Sequence, residues 1–179
     1  MYPITLVYLG QLKSNGDAQH KSNIRQKFSE QLSTIYKREI TENENQSVRE
    51  LIEEKCTRTI AGIKYTSLVN RTLGLYAKLS VTMLSTKNSS IFANAQGDID
   101  NRLKTIFDAL SIPPESQGIK IRGKLPELTI CLLEDDVLIR EVRVKVGELL
   151  TPDAEKSCVH VLVDVEFVRH GELTSTIFP

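Results

Sequence analysis

The sequence predicts an α+β fold: a single domain with a mixed β-sheet of about four to six strands and helices packed mainly on one face. Three observations carry this prediction. Apolar and polar residues alternate in "LYAKLSVTML" and "CVHVLVDVEFV", the two-residue period of half-buried strands. Elsewhere apolar residues recur every three or four positions, the period of a helix that buries one stripe. Both patterns are interleaved along 179 residues, a length that suits one domain, residues 1–179, with a core of its own.

Taken in order, Ile4 to Leu9 reads as a first strand, and "LKSNGDAQ" carries the Asn-Gly and Gly-Asp pairs of a loop. Ile24, Phe28, Leu32, Ile35 and Tyr36 then form one stripe of a helix from about Lys21 to Arg38. After the polar linker "TENENQ", Val48, Leu51, Ile52, Cys56 and Ile60 suggest a second helical region near residues 44–61. Leu75, Ala77, Leu79, Val81 and Met83 mark the buried face of the clearest strand. In "QGDIDNRLKTIFDAL", Leu103, Ile106, Phe107 and Leu110 share one helix face, and Asn101, Lys104 and Asp108 the other.

That helix must end by "SIPPESQG", because two prolines forbid continuation. Ser111 to Arg122 is expected to be a loop opening an insertion over about 111–130, with Lys120, Arg122 and Lys124 as a small basic cluster. "ELTICLL" reads as a strand, "EDDVLI" as a turn or short helix, and "REVRVKV" as a strand with Val142, Val144 and Val146 on one side. Arg143 and Lys145 project from the other side. The final strand buries Val159, Val161, Val163, Val165 and Phe167.

Composition narrows the function classes. With 23 basic and 23 acidic residues the formal charge is zero, which lacks the overall basic excess of a general nucleic-acid binder but leaves room for a local patch. Basic residues between 13 and 38 are read as a solvated helix face. Cys56, Cys131 and Cys158 have no metal-binding spacing and are odd in number, so a reducing, cytoplasmic setting is expected. No run is long and apolar enough to span a membrane. His20, His160 and His170 are scattered, and no phosphate-binding glycine loop or nucleophile elbow is present.

Two acidic motifs remain. If Asp98 and Asp100 enter their helix in extended chain, the two-residue period sends both carboxylates to one side. They are then either the turn and cap of the helix or a pair fit for a cation. Asp135 and Asp136 close an apolar run, where charges must be hydrated, paired or bound to a metal. Hard carboxylate oxygens from two such motifs, if they met in space, would suit Mg2+. Lys104, one turn after Asp100, would either stabilise charge on a phosphate or pair with a neighbouring aspartate.

"DIDNRLKTIFDAL" followed by "LEDDVLIREVRVKV" resembles the RusA-like Holliday junction resolvases, in which a D-x-D-N-x-x-K helix start precedes an aspartate pair and a strand. The resemblance spans about residues 73–168. It implies a homodimeric α+β endonuclease that nicks branched DNA with Mg2+ or Mn2+. Asp98, Asp100 and Asp136 would be its metal ligands, with Asp135 as the less certain member of its pair. Lys104 would be the catalytic lysine, Asn101 a supporting residue, and Lys104, Arg143 and Lys145 the DNA contacts. Three features depart from the family: the longer insertion, the extra helical region at 44–61, and the neutral rather than basic composition. They motivate the alternative of a non-catalytic DNA- or protein-binding module of a mobile-element or defence system.

Overall fold

The computed structural model describes residues 2–41, 46–85, 97–121, 126–150 and 158–169. Within them the chain folds as one α+β domain with seven strands and four α-helices. These strands are β1 (Ile4–Gly10), β2 (Thr57–Ile60), β3 (Ile63–Val69), β4 (Leu75–Ser85), β5 (Leu128–Leu133), β6 (Ile139–Glu148) and β7 (Val159–Arg169). The helices are α1 (Ala18–Tyr36), α2 (Gln46–Lys55), α3 (Gly97–Leu110) and the single turn α4 (Glu115–Gly118). A π-helical turn, Lys37–Thr41, extends α1, and a 3₁₀ turn, Asp136–Leu138, precedes β6.

The strands form two sheets rather than the single one expected. One has the order β1-β7-β4-β6, and the other β2-β3-β5. In the first, β7 pairs antiparallel with β1 and β4, while β4 and β6 run parallel. A parallel pair needs a long crossover, and here that crossover carries α3 and β5 on its way to β6. In the second sheet β3 pairs antiparallel with β2 and parallel with β5. The β4 and β7 alternation is as read from sequence: Ala77, Leu79, Val81 and Met83 and Val159, Val161, Val163 and Val165 are all buried. Phe167 continues that face and packs on the same core while only partly buried, whereas Val168, on the opposite face of the strand, is buried.

The second sheet corrects two expectations. Residues 57–60 are strand, not helix, and β3 was not anticipated. Ala61 and Gly62 take positive φ values of 50° and 82° between the paired Ile60 and Ile63, the two-residue turn that matches the twist of a hairpin. The β-branched residues around it are better suited to strand than to helix. Helix α2 still buries Ile52, but Leu51 is exposed and the side chain of Val48 is outside the described residues.

Segment 111–130 is built into this part of the fold. Ser111 bridges to Leu133 and Ile112 N donates to Leu133 O at 3.0 Å. Ile112 and Cys131 share a small core with Ile60 and Tyr65, and a Cβ on Gly118 would fall onto the Ile60 side chain. Arg122 and Lys124 lie outside the described residues. The main core joins α1, α3 and the inner face of the β1-β7-β4-β6 sheet. On β6, Val142, Val144 and Val146 share that face but are 36–40% exposed, because β6 is an edge strand with no neighbour beyond it.

The basic stretch in α1 is not uniformly solvated. Arg25 is 2% exposed. Its Nε donates to Ser111 O at 3.0 Å and its NH2 to Asp108 O at 2.6 Å, so α1 supplies partners for carbonyls at the end of α3, where a helix runs out of its own donors. Burial pushes the Arg25 pKa down, partly opposed by Cys131, Tyr65 and Asp108.

Candidate metal and phosphate site

Helix α3 and the 3₁₀ turn after β5 meet in space. The backbone explains how. Leaving the second sheet, Glu134 N donates to Val69 O at 2.9 Å, and the Glu134 carboxylate takes the Arg58 guanidinium and, at 3.1 Å, Arg71 N. Asp135 is extended and caps the turn, its Oδ1 accepting from Val137 N at 3.0 Å. Leu138 then buries its side chain in the main core. The turn that presents Asp136 is thus held at its entry, its cap and its exit.

On the opposing side Asp100, Lys104 and Asp108 recur every four residues along α3, which places them on one side of the helix over a rise of about 12 Å. Asp136 stands close enough to feel several of these groups. Burial raises its pKa above the ordinary aspartate value, a hydrogen bond and the charge of Asp135 add to the rise, Asp108 adds further, and Lys104 opposes it. A carboxyl hydrogen-bonded to another favours sharing a proton. Asp108 is itself ion-paired, Lys21 Nζ lying 2.7 Å from its Oδ2.

The sequence-predicted residues therefore divide. The helix that carries Lys104 and the turn that carries Asp135 and Asp136 come together. Asp100 and Lys104 are exposed and Asn101 is half-buried, its carbonyl accepting from Thr105 Oγ1 at 3.1 Å. Helix α3 begins at Gly97, so Asp98 and Asp100 both have helical backbone rather than the extended entry expected. Residues two apart on a helix do not face each other, which removes the geometric reason for pairing them. The side chain of Asp98 is outside the described residues. Arg143 and Lys145 pair in register with Ser80 and Thr82. They therefore lie on the sheet face turned away from Leu79, Val81 and the helices, together with Asp164 and Glu166.

Asp108 and Lys21 were not anticipated as site residues. Asp108 repeats the four-residue spacing of Asp100 and Lys104, a signal present in the sequence; Lys21 carries none, since only packing brings α1 to α3. Carboxylate oxygens are the donors that Mg2+ and Mn2+ favour. Among the described residues, no three His, Cys, Asp or Glu side chains come close enough together to hold a metal ion. The chain matches no family model, no curated protein and no solved structure.

Proposed function

We propose that this protein is a metal-dependent endodeoxyribonuclease that nicks branched DNA such as four-way junctions. The observation that supports this reading is the meeting of α3, which carries Lys104 and Asp108, with the turn that carries Asp135 and Asp136. Asp136 and Asp135, with Asp100 from α3, would hold Mg2+ or Mn2+. Magnesium is commonly held by one or two carboxylates plus substrate phosphate and water, so two short acidic motifs would suffice. Such an ion, when bound, supplies Lewis-acid polarisation of the phosphate and a more acidic water.

The chain's own residues have separate tasks in this reading. Lys104, exposed on the helix that meets the Asp136 turn, meets the negative charge that builds on a phosphate during cleavage. Asn101, one turn before Thr105, orients the substrate or its water. The hydrogen bonds around Glu134 and Asp135 fix the turn in advance, so little reorganisation is needed when a phosphate arrives. Arg143 and Lys145, on the far sheet face, would contact phosphates away from the cut. Two symmetric nicks require two sites related by a two-fold axis, hence a homodimer. The setting would be the reducing cytoplasm.

The test is cleavage of a synthetic four-way junction by purified protein in Mg2+ or Mn2+. Asp136→Asn and Asp100→Asn should each abolish cutting while leaving thermal unfolding cooperative. Absence of wild-type cleavage on branched and duplex DNA in either metal would refute the nuclease reading. The second reading, a non-catalytic DNA- or protein-binding module, draws support from the lack of a three-ligand cluster among the described residues. It would be favoured by junction binding that is indifferent to both substitutions.

A further inference from the structure

The edges of the two sheets are finished unequally. On β1 the Gln31 side chain takes the place of a neighbouring strand: Val7 N donates to its Oε1 at 2.9 Å, and its Nε2 donates to Val7 O at 2.7 Å. On β5, Ile130 N donates to Ser29 Oγ at 2.8 Å and Ser111 bridges to Leu133. Helix α1 thus closes one edge of each sheet. The far edge of the larger sheet is β6, and among the described residues no strand pairs beyond it. A bulge between Ala77 and Lys78 in the β4 register leaves Arg140 over the Tyr76 ring, 3.9 Å from its centroid. Glu141–Glu148 then runs in unbroken register with β4. An uncovered edge of this length presents a row of backbone donors and acceptors to another chain.

The two faces of β6 fit a second copy of the same strand. On the core side Val142 and Val144 are each 40% exposed. On the other side Glu141, Arg143 and Lys145 follow at two-residue spacing. Antiparallel strands set residues of one face directly opposite each other. Pairing β6 with itself about a two-fold axis at Arg143 therefore opposes Val142 to Val144 of the second copy, and Glu141 to its Lys145, twice each. Centring on Val144 would oppose Arg143 to Lys145, and centring on Val142 would oppose Val144 to the bulged Arg140. The two Arg143 side chains meet at the axis, but each is already held by Glu141 of its own strand at 2.8 Å, so each carboxylate lies between two cations. We infer that β6 is the surface through which two copies of this chain pair, antiparallel and centred on Arg143, joining their larger sheets edge to edge. Backbone hydrogen bonds supply affinity in such strand addition, and the side chains set the register. The pairing gives a surface to the homodimer of the nuclease reading, goes beyond that reading in naming it, and requires no cleavage activity.

The experiment is sedimentation velocity of the full chain over a range of concentrations, without DNA or added metal, to read the dimer Kd. Wild type should dimerise. Glu141→Lys and Lys145→Glu should each raise Kd about tenfold, because two attractive pairs become two repulsive ones. The double variant Glu141→Lys/Lys145→Glu restores opposite charges across the axis and should recover the wild-type Kd, which neither misfolding nor a general change of charge would do. In a Cys158→Ser background, mild oxidation should link Arg143→Cys to its counterpart, since opposed Cβ atoms lie about 4.5–5.5 Å apart and a disulfide needs little more approach. Lys145→Cys, facing Glu141 of the second copy, should not link. Thermal unfolding of every variant shows that folded proteins are compared. A wild type that stays monomeric, single reversals that leave Kd unmoved, or a double variant no better than either single overturns the pairing. Junction cleavage is scored separately: a protein that cuts as a monomer refutes the pairing alone, and a dimer that cuts nothing refutes the nuclease alone.

Discussion

Replacing Arg25 with methionine probes the buried polar contact that locks the two long helices together. The guanidinium is inside the protein and its two bonds, at 3.0 and 2.6 Å, end on the Ser111 and Asp108 carbonyls. Leaving a buried acceptor unpaired costs about 1–3 kcal/mol, so two cost about 2–6 kcal/mol. Methionine fills much of the same volume and removes the burden of desolvating a cation, which offsets part of that loss. A net destabilisation of about 2–4 kcal/mol follows, or roughly 4–16 °C in Tm at about 2–4 °C per kcal/mol for a chain of this size. Arg25→Lys, which keeps the charge but loses the forked geometry, should fall between. Differential scanning calorimetry of the three proteins measures this directly. A methionine variant that melts within about 1 °C of wild type would show that the α1–α3 clamp does not stabilise the fold as reasoned.

Two further outcomes follow from the ionisable groups. Asp17 caps α1 by accepting from His20 N at 2.8 Å, and that bond holds its carboxyl below the ordinary 3.8. A depressed carboxyl contributes stability that is present above the unfolded pKa and is lost as pH falls through the folded one. Asparagine caps as well but does not titrate, so the advantage of wild type over Asp17→Asn should be lost as pH falls below 3.8. An advantage that persists unchanged down to about pH 2 would contradict this. Burial pushes the Cys56 and Cys131 thiols up to about 11, whereas Cys158 is only half-buried. A thiol reagent at mildly alkaline pH should modify one cysteine quickly and the other two only on unfolding; three fast reactions would disprove the burial.

Much of the fold was legible because its signals are local. The stripe from Ile24 to Ile35 gave α1, and the valine alternation gave β7. The hairpin of β2 and β3 was obscured because Ile52, Cys56 and Ile60 fit a helical spacing by coincidence, while the Ala61–Gly62 turn that separates the strands is short. Arg25 and Lys21 looked like members of a solvated basic face. Charge patterning along one helix cannot reveal that a second helix ends against it, and only that packing buries Arg25 and pairs Lys21 with Asp108. The start of α3 was misjudged for a related reason: Asp98 and Asp100 suit a cap, but the helix begins at Gly97.

By itself the sequence determined the fold class, the main strands and helices, and two short acidic motifs with Lys104 one turn after Asp100. These follow from periodicity and from spacing within a single element, which the backbone enforces wherever the element sits. The tertiary structure alone decided that there are two sheets, that the Glu134–Asp136 corner is tied down by Arg58 and Arg71, and that it returns to α3. It also decided that Asp108 pairs with Lys21. The physical reason is separation along the chain: groups on α1, α3 and the 3₁₀ turn become neighbours only when the shared core closes, and then charge acts across space rather than along sequence.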